Sequence, residues 1–217
     1  MVTLEKLTND PYVTELLKES DATTDKLGIT EHGLRHARIT ASYAKEICLG
    51  LQLDELETMM AVSAAYVHDI GNLTGRLNHG AVGSALLVPI LFRHDASPLE
   101  LARIVSAVSL HDEDEPKISN ITMAVVIMAD KADVRRSRVR RPEEVEKDIH
   151  DRVNFAVTES NIIVVGRNVT LSLSLDEKIA CTADYLEIFS GRMIAMRTSA
   201  KYLGCQFELV INGNRIL

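Results

Sequence analysis

His36, the neighbours His68 and Asp69, His79, His111 and Asp130 are the residues of this 217-residue chain whose types and spacing could do chemistry together. Imidazole and carboxylate form the ligand set that holds borderline and hard divalent ions such as manganese, iron, cobalt, nickel, zinc and magnesium. Each of these residues closes an apolar helical pattern or lies just beyond one, where side chains from several helices can converge. His68-Asp69 ends the apolar run AYVHDIG, a place where a bare carboxylate would be costly without a partner. A divalent ion offsets that cost: Asp69 can bridge two ions while His68 binds one. His32 stands four residues before His36, so on one helix both imidazoles would face the same site, and His32 is a candidate further ligand. Taken singly, each of these is equally an ordinary helix-terminal polar residue; the set points to metal. His94 and His150 read as surface residues.

The elements that must position this set are helices up to about Ser160. A short helical region spans Pro11 to Lys18, and Thr30 is placed to cap a helix from Glu31 to Gly50 with Ile39, Tyr43 and Ile47 on its apolar side. Asp54 opens a second helix leading to His68-Asp69, with Gly71 as its stop. A loop follows from Asn72 to Asn78, then a helix from His79 to about His94, in which Gly83 and Ala85 would permit close approach to a neighbour. Ser97-Pro98 starts a helix that stops near His111. An acidic loop, Asp112 to Pro116, precedes a helix capped by Ser119 or Asn120 and carrying Ile121, Val125 and Met128 toward Asp130. Another helix is expected after Pro142.

Near Asn161 the period changes. Ile162 to Val165 is β-branched, Gly166 to Asn168 is a turn, and Val169 to Leu175 alternates apolar residues with Thr170, Ser172 and Ser174, as a half-buried strand does. A helix from Glu177 to Leu203 and an alternating Phe207, Leu209, Ile211 complete the pattern. The expectation is a mainly α fold: a helical domain over residues 1–160 with a small α+β tail of ββαβ type over 161–217.

Composition narrows the partners. A net charge of −7 argues against nucleic acid, whose phosphates recruit basic surfaces. The 3 cysteines, Cys48, Cys181 and Cys205, are widely spaced and form no CxxC pair, so neither a disulfide framework nor a thiolate zinc site is indicated. No apolar stretch is long enough to span a bilayer, and the first residues lack a secretion signal, so the expected location is cytoplasmic.

Read in order, EHGLRHARITASYA, AYVHDIGN, NHGAVGSALL, SLHDE and MADKAD resemble the HD superfamily of metal-dependent phosphohydrolases across about residues 30 to 135. That resemblance implies an HD-type helical bundle in which His36, His68, Asp69 and Asp130 are core ligands and His79 and His111 the extra pair of members with two metals. Two departures stand out. Asn72 follows His-Asp where many members have a basic residue. Leu110-His111 without a later GYP separates the chain from the cyclic-dinucleotide phosphodiesterases.

The implied reaction is hydrolysis of a phosphate ester or nucleotide phosphoanhydride by a metal-generated hydroxide, with Asp69 bridging two ions. After Asp130 comes KADVRRSRVRR, the dense basic cluster of an acidic chain, with Lys131, Arg135, Arg136, Arg138, Arg140 and Arg141. Guanidinium forks suit phosphate oxygens, so Arg135 or Arg136 is expected to neutralise the phosphoryl group of a small phosphorylated molecule, with Arg76 a second candidate. The ordinary alternative is a solvated cluster paired with acids such as Glu143 and Glu144. Two rival readings remain: a mixed-valence di-iron oxygenase of the same fold, and a nucleotide-sensing module whose tail makes a homodimer.

Overall fold

The protein is seen here in a computed structural model that describes residues 1–112 and 116–217. Helix α1 (Leu4–Thr8) leads into α2 (Pro11–Lys26), α3 (Leu34–Gly50) and α4 (Glu55–Val67). A 3₁₀ turn (Ile70–Thr74) then precedes α5 (His79–Arg93), α6 (Pro98–Leu110) and α7 (Ile121–Ala132). Two further 3₁₀ turns, Arg136–Arg138 and Pro142–Lys147, lead to α8 (Ile149–Ala156). The chain closes with β1 (Val157–Val165), β2 (Asn168–Leu175), α9 (Thr182–Tyr202), β3 (Gln206–Ile211) and a short β4 (Asn214–Arg215). The architecture is mainly α with a small sheet.

Local chemistry fixes the helix starts. Asp54 caps α4 through Glu57 N, Asn120 caps α7 through Met123 N, and Ser97 with Glu100 forms a reciprocal capping box on α6. Helix α7 is buried on all sides, from Thr122 to Ala132, as its uniformly apolar sequence requires. It runs through the centre of the body against α3, α4, α6 and α9, which brings Asp130 to the interior.

Asp10 does two jobs at the far end of the bundle. Its carboxylate accepts from Tyr12 N at 2.8 Å to cap α2, and it pairs with Arg93 Nη2 at 2.7 Å and His94 Nε2 at 2.8 Å. His94 is therefore a tethered, half-buried residue and not a free surface one, whereas His150 is exposed as expected. Burial raises the Asp10 pKa, but Arg93, His94 and the cap outweigh it and hold the carboxyl below its ordinary value. Replacing Asp10 by Ala is expected to cost about 1–2 kcal/mol in urea denaturation. A depressed pKa gives stability present above the unfolded value and lost as pH falls through the folded one, so the gap between wild type and variant narrows below about pH 4.

The sheet order is β1-β2-β3-β4, with β1·β2 and β3·β4 antiparallel and β2·β3 parallel across the α9 crossover. The expected ββαβ arrangement is present, with β4 added. Strand β1 starts at Val157 because α8 passes directly into it, ahead of the expected Ile162. Its Ser160 carbonyl accepts from Tyr43 OH on α3, and Ser160 Oγ donates to Ala132 O at 2.5 Å at the end of α7. One buried apolar cluster accordingly runs from Val2 to Ile211 through both the helices and the sheet.

Four expected boundaries are corrected. Helix α2 continues to Lys26. Helix α3 starts at Leu34, not Glu31, because the Glu31 carboxylate folds back to accept from Gly33 N at 2.9 Å and His36 N at 3.4 Å, acting as the cap itself. Helix α9 starts at Thr182, since Asp176 O accepts from Ile179 N and Ala180 N in a preceding turn and the Asp184 carboxylate accepts from Cys181 N. After Pro142 comes a 3₁₀ turn, and the helix waits for the Asp148 cap. Of the acidic loop Asp112 to Pro116, residues 113–115 lie outside the described residues. Among the described residues, no helix is long and apolar enough to cross a membrane.

Candidate metal centre

Helix ends from five elements meet at one place. His36 lies in the first turn of α3, His68 is the C-cap of α4 with Asp69 after it, His79 is the first residue of α5, His111 is the C-cap of α6, and Asp130 sits near the end of α7. Glycines allow the approach. A Cβ on Gly71 would fall 1.8 Å from His79 O, and one on Gly80 would fall 2.5 Å from Ser109 O. The 3₁₀ turn, α5 and the end of α6 can therefore touch backbone to backbone. Gly71 is thus a contact point between segments and not the helix stop the sequence suggests. Gly83 packs on Gly71 as expected, whereas Ala85 faces solvent.

The two oxygens of Asp69 are shared between two groups. Oδ2 lies 3.1 Å from His68 Nε2 and 3.5 Å from His36 Nε2, and Asp130 Oδ1 lies 3.2 Å from His36 Nε2 and 3.5 Å from His68 Nε2. Oδ1 lies 3.4 Å from His79 Nε2 and 3.7 Å from His111 Nε2, and those two nitrogens are 3.1 Å apart. Donors at such separations surround an ion held at about 2.0–2.2 Å from each. His36, His68 and Asp130 form one group able to hold a metal ion, and His68, Asp69 and His111 form another, with His79 closing its side.

Every imidazole is oriented by its other nitrogen. His68 Nδ1 donates to Ala65 O at 2.7 Å, His79 Nδ1 to Arg76 O at 2.9 Å and His111 Nδ1 to Val108 O at 2.7 Å. His36 Nδ1 donates to the Asp133 carboxylate at 2.8 Å. A carbonyl can only accept, so these protons are on Nδ1 and the Nε2 lone pairs turn inward, the usual arrangement behind metal-ligating histidines.

The donor set fits a cation. Asp69 Oδ2 is buried with no hydrogen-bond donor among the described residues, an expensive state for a carboxylate oxygen. Burial raises the Asp69 and Asp130 pKa values, yet the surrounding His68 (for Asp69) and Lys131 (for Asp130) hold both carboxyls well below the usual range. Burial pushes His68 down, but Asp69 and Asp130 outweigh it and raise its pKa to about 10. A divalent ion held by these nitrogens would compete with protons for the same lone pairs.

Asp133, which the sequence did not single out, supports His36 from behind. Burial raises its pKa, but His36, Arg138 and Arg135 bring it to about 2, so it remains a carboxylate beside His36. Asp133→Asn is expected to weaken metal affinity about 10–100-fold with the fold kept. Competition against a chromophoric chelator measures this; an unchanged affinity would remove Asp133 from the site.

His32 is corrected. It lies before α3, with its ring 5.5 Å from that of His36 and edge-on, and Nδ1 donates to Thr30 O at 2.5 Å. It stands beside the converging nitrogens, and burial followed by Arg138 holds its pKa well below the ordinary histidine value.

The arginine expectation is revised as well. Arg135 stacks on Tyr43, donates to its hydroxyl and pairs with Asp133 at 3.3 Å. Arg136 stacks on Phe155 and donates to Phe155 O at 2.7 Å. These contacts tie β1 and α8 to the bundle. The cations at the centre are Arg76 and Lys131. Asp112 lies between them, 2.6 Å from Arg76 Nη2 and 2.5 Å from Lys131 Nζ, while Lys131 also reaches Asp130 Oδ2 at 3.0 Å. Asn72, at the position where a basic residue was expected from the resemblance, donates to Asp69 Oδ1 at 2.7 Å. Neither a protein-family model nor a curated protein matches this chain.

Proposed function

We propose that the chain is a metal-dependent phosphohydrolase of the HD type, acting on a phosphate ester or nucleotide phosphoanhydride at a two-metal centre. One observation carries the reading: Asp69 presents one oxygen to His36 and His68 and the other to His79 and His111. The ordered motifs from EHGLRHA to MADKAD support the family assignment.

Two divalent ions at such a centre supply Lewis acidity to a phosphate oxygen and lower the pKa of a coordinated water. The chain's own part is orientation and charge. Carbonyls and Asp133 fix the imidazoles, and Arg76 and Lys131 present positive charge where a phosphate would arrive. Asp112 holds these two cations in place. Arg135 and Arg136 act at a distance, by bracing α3, β1 and α8.

The test is turnover of a phosphoester and nucleotide panel by protein loaded with Mn²⁺, Co²⁺, Ni²⁺ or Mg²⁺. Metal-loaded, folded protein that hydrolyses nothing contradicts the reading. Tight ligand binding without turnover would favour a sensing module. A second reading, a di-iron oxygenase, is favoured by the same all-nitrogen-and-oxygen donor set around a shared carboxylate. Two irons per chain with a mixed-valence EPR signal and oxygen uptake would select it.

A further inference from the structure

The cavity beside the metal centre is walled partly by α9, from the C-terminal tail. One cavity of about 240 Å³ is lined by His32, Arg76, Asn154, Phe189 and Arg192 among others, and an adjoining one by Asp112, Lys131, His150, Phe189 and Arg192. Arg192 lines both. Helix α9 kinks at Phe189 (φ −106°, ψ 16°), and the Arg192 guanidinium stacks on that ring with its carbon 4.4 Å from the centroid.

Arg192 Nη1 is out of solvent and without a hydrogen-bond partner among the described residues. Leaving a buried guanidinium hydrogen unmet is costly, because the group gives up its water without gaining an acceptor. Among the described residues, the nearby carboxylates are already committed. Both Asp112 oxygens serve Arg76 and Lys131, Asp130 Oδ1 faces His36 and His68, and Asp130 Oδ2 takes Lys131. Asp148, across the cavity, accepts from His150 N to cap α8, and neither it nor Asp151 forms an ion pair with Arg192. Burial and then the Arg138 charge depress the Arg192 pKa, as expected of a cation without a counter-ion.

We propose that Arg192 binds a second anionic group of the substrate, so that the molecule acted on carries a carboxylate or further phosphate besides the one at the metals. This rests on the two-metal reading above. It makes the C-terminal helix part of the substrate site, with Arg192 a specificity-determining residue whose planar fork suits a bidentate anion.

The experiment compares wild type, Arg192→Gln and Arg192→Lys, each Mn²⁺-loaded, by titration calorimetry. The probes are methylphosphonate, with one anionic group, and phosphonoacetate and methylenediphosphonate, with two. Metal content is rechecked after each titration. Arg192→Gln is expected to keep its metal and to bind methylphosphonate within about threefold of wild type, while its Kd for the two-anion probes rises about tenfold or more. Arg192→Lys falls between, and it carries the measurement if the Gln variant does not fold. Whichever two-anion probe loses more identifies the second group as carboxylate or phosphate. Equal weakening of all probes, or none, overturns the proposal while leaving the metal reading intact. Wild type that takes up no metal overturns the metal reading instead, and this proposal with it.

Discussion

Asp69→Asn is expected to lose metal from at least one of the two positions and, if the chain is the proposed phosphohydrolase, to lower phosphoester turnover by about 10³-fold or more. The reason is the division of labour between its two oxygens, one 3.1 Å from His68 Nε2 and the other 3.4 Å from His79 Nε2. An amide keeps the shape but has one acceptor oxygen and one NH₂ that cannot ligate. No orientation of the amide serves both groups, so the variant holds at most one ion per chain. Elemental analysis and a turnover assay on the same preparation check this, with circular dichroism to show the helices intact. A variant with full metal content and full turnover would mean that Asp69 is not shared.

Gly71→Ala should damage both the fold and the site. The added Cβ would meet His79 O at 1.8 Å and Gly83 N at 2.4 Å, and backbone atoms cannot rotate away as a side chain does. The 3₁₀ turn must separate from α5, at an expected cost of about 3–5 kcal/mol. The separation draws Asp69 away from His79, so metal is lost from the His79–His111 side first. A thermal melt and metal counting read both effects. Gly191→Ala is the control: its Cβ meets nothing within 4 Å, and in a helix interior it is expected to change stability by less than about 1 kcal/mol.

The six candidate ligands were legible because His68-Asp69, His111 and Asp130 close apolar helices and His36 and His79 open them, and the end of a buried helix is where a polar side chain must find a partner. The helices were legible for the same reason, together with explicit caps at Asp54, Ser97 and Asn120. His32 does not share a helix face with His36, because four-residue spacing assumes a continuous helix and α3 starts at Leu34, two residues after His32. Arg135 and Arg136 looked like phosphate ligands because a basic cluster carries no sign of direction. Tyr43 and Phe155, which claim them, are distant in sequence. Arg192 was invisible for the complementary reason. It lies far from the basic cluster, on α9, and only the kink at Phe189 and the packing of α9 on α7 bring it to the cavity. Asp133 offered one usable signal, its place three residues beyond Asp130 on the same chain turn.

Five helix ends meet in a hollow that would hold two cations around one shared carboxylate. Anomalous diffraction from crystals of protein grown with Mn²⁺ or Fe²⁺ tests this. Two peaks per chain are expected, about 3.5–4 Å apart, one flanked by His36, His68 and Asp130 and the other by His79 and His111, with an Asp69 oxygen on each. A chain without peaks there, or with metal bound only elsewhere, contradicts it.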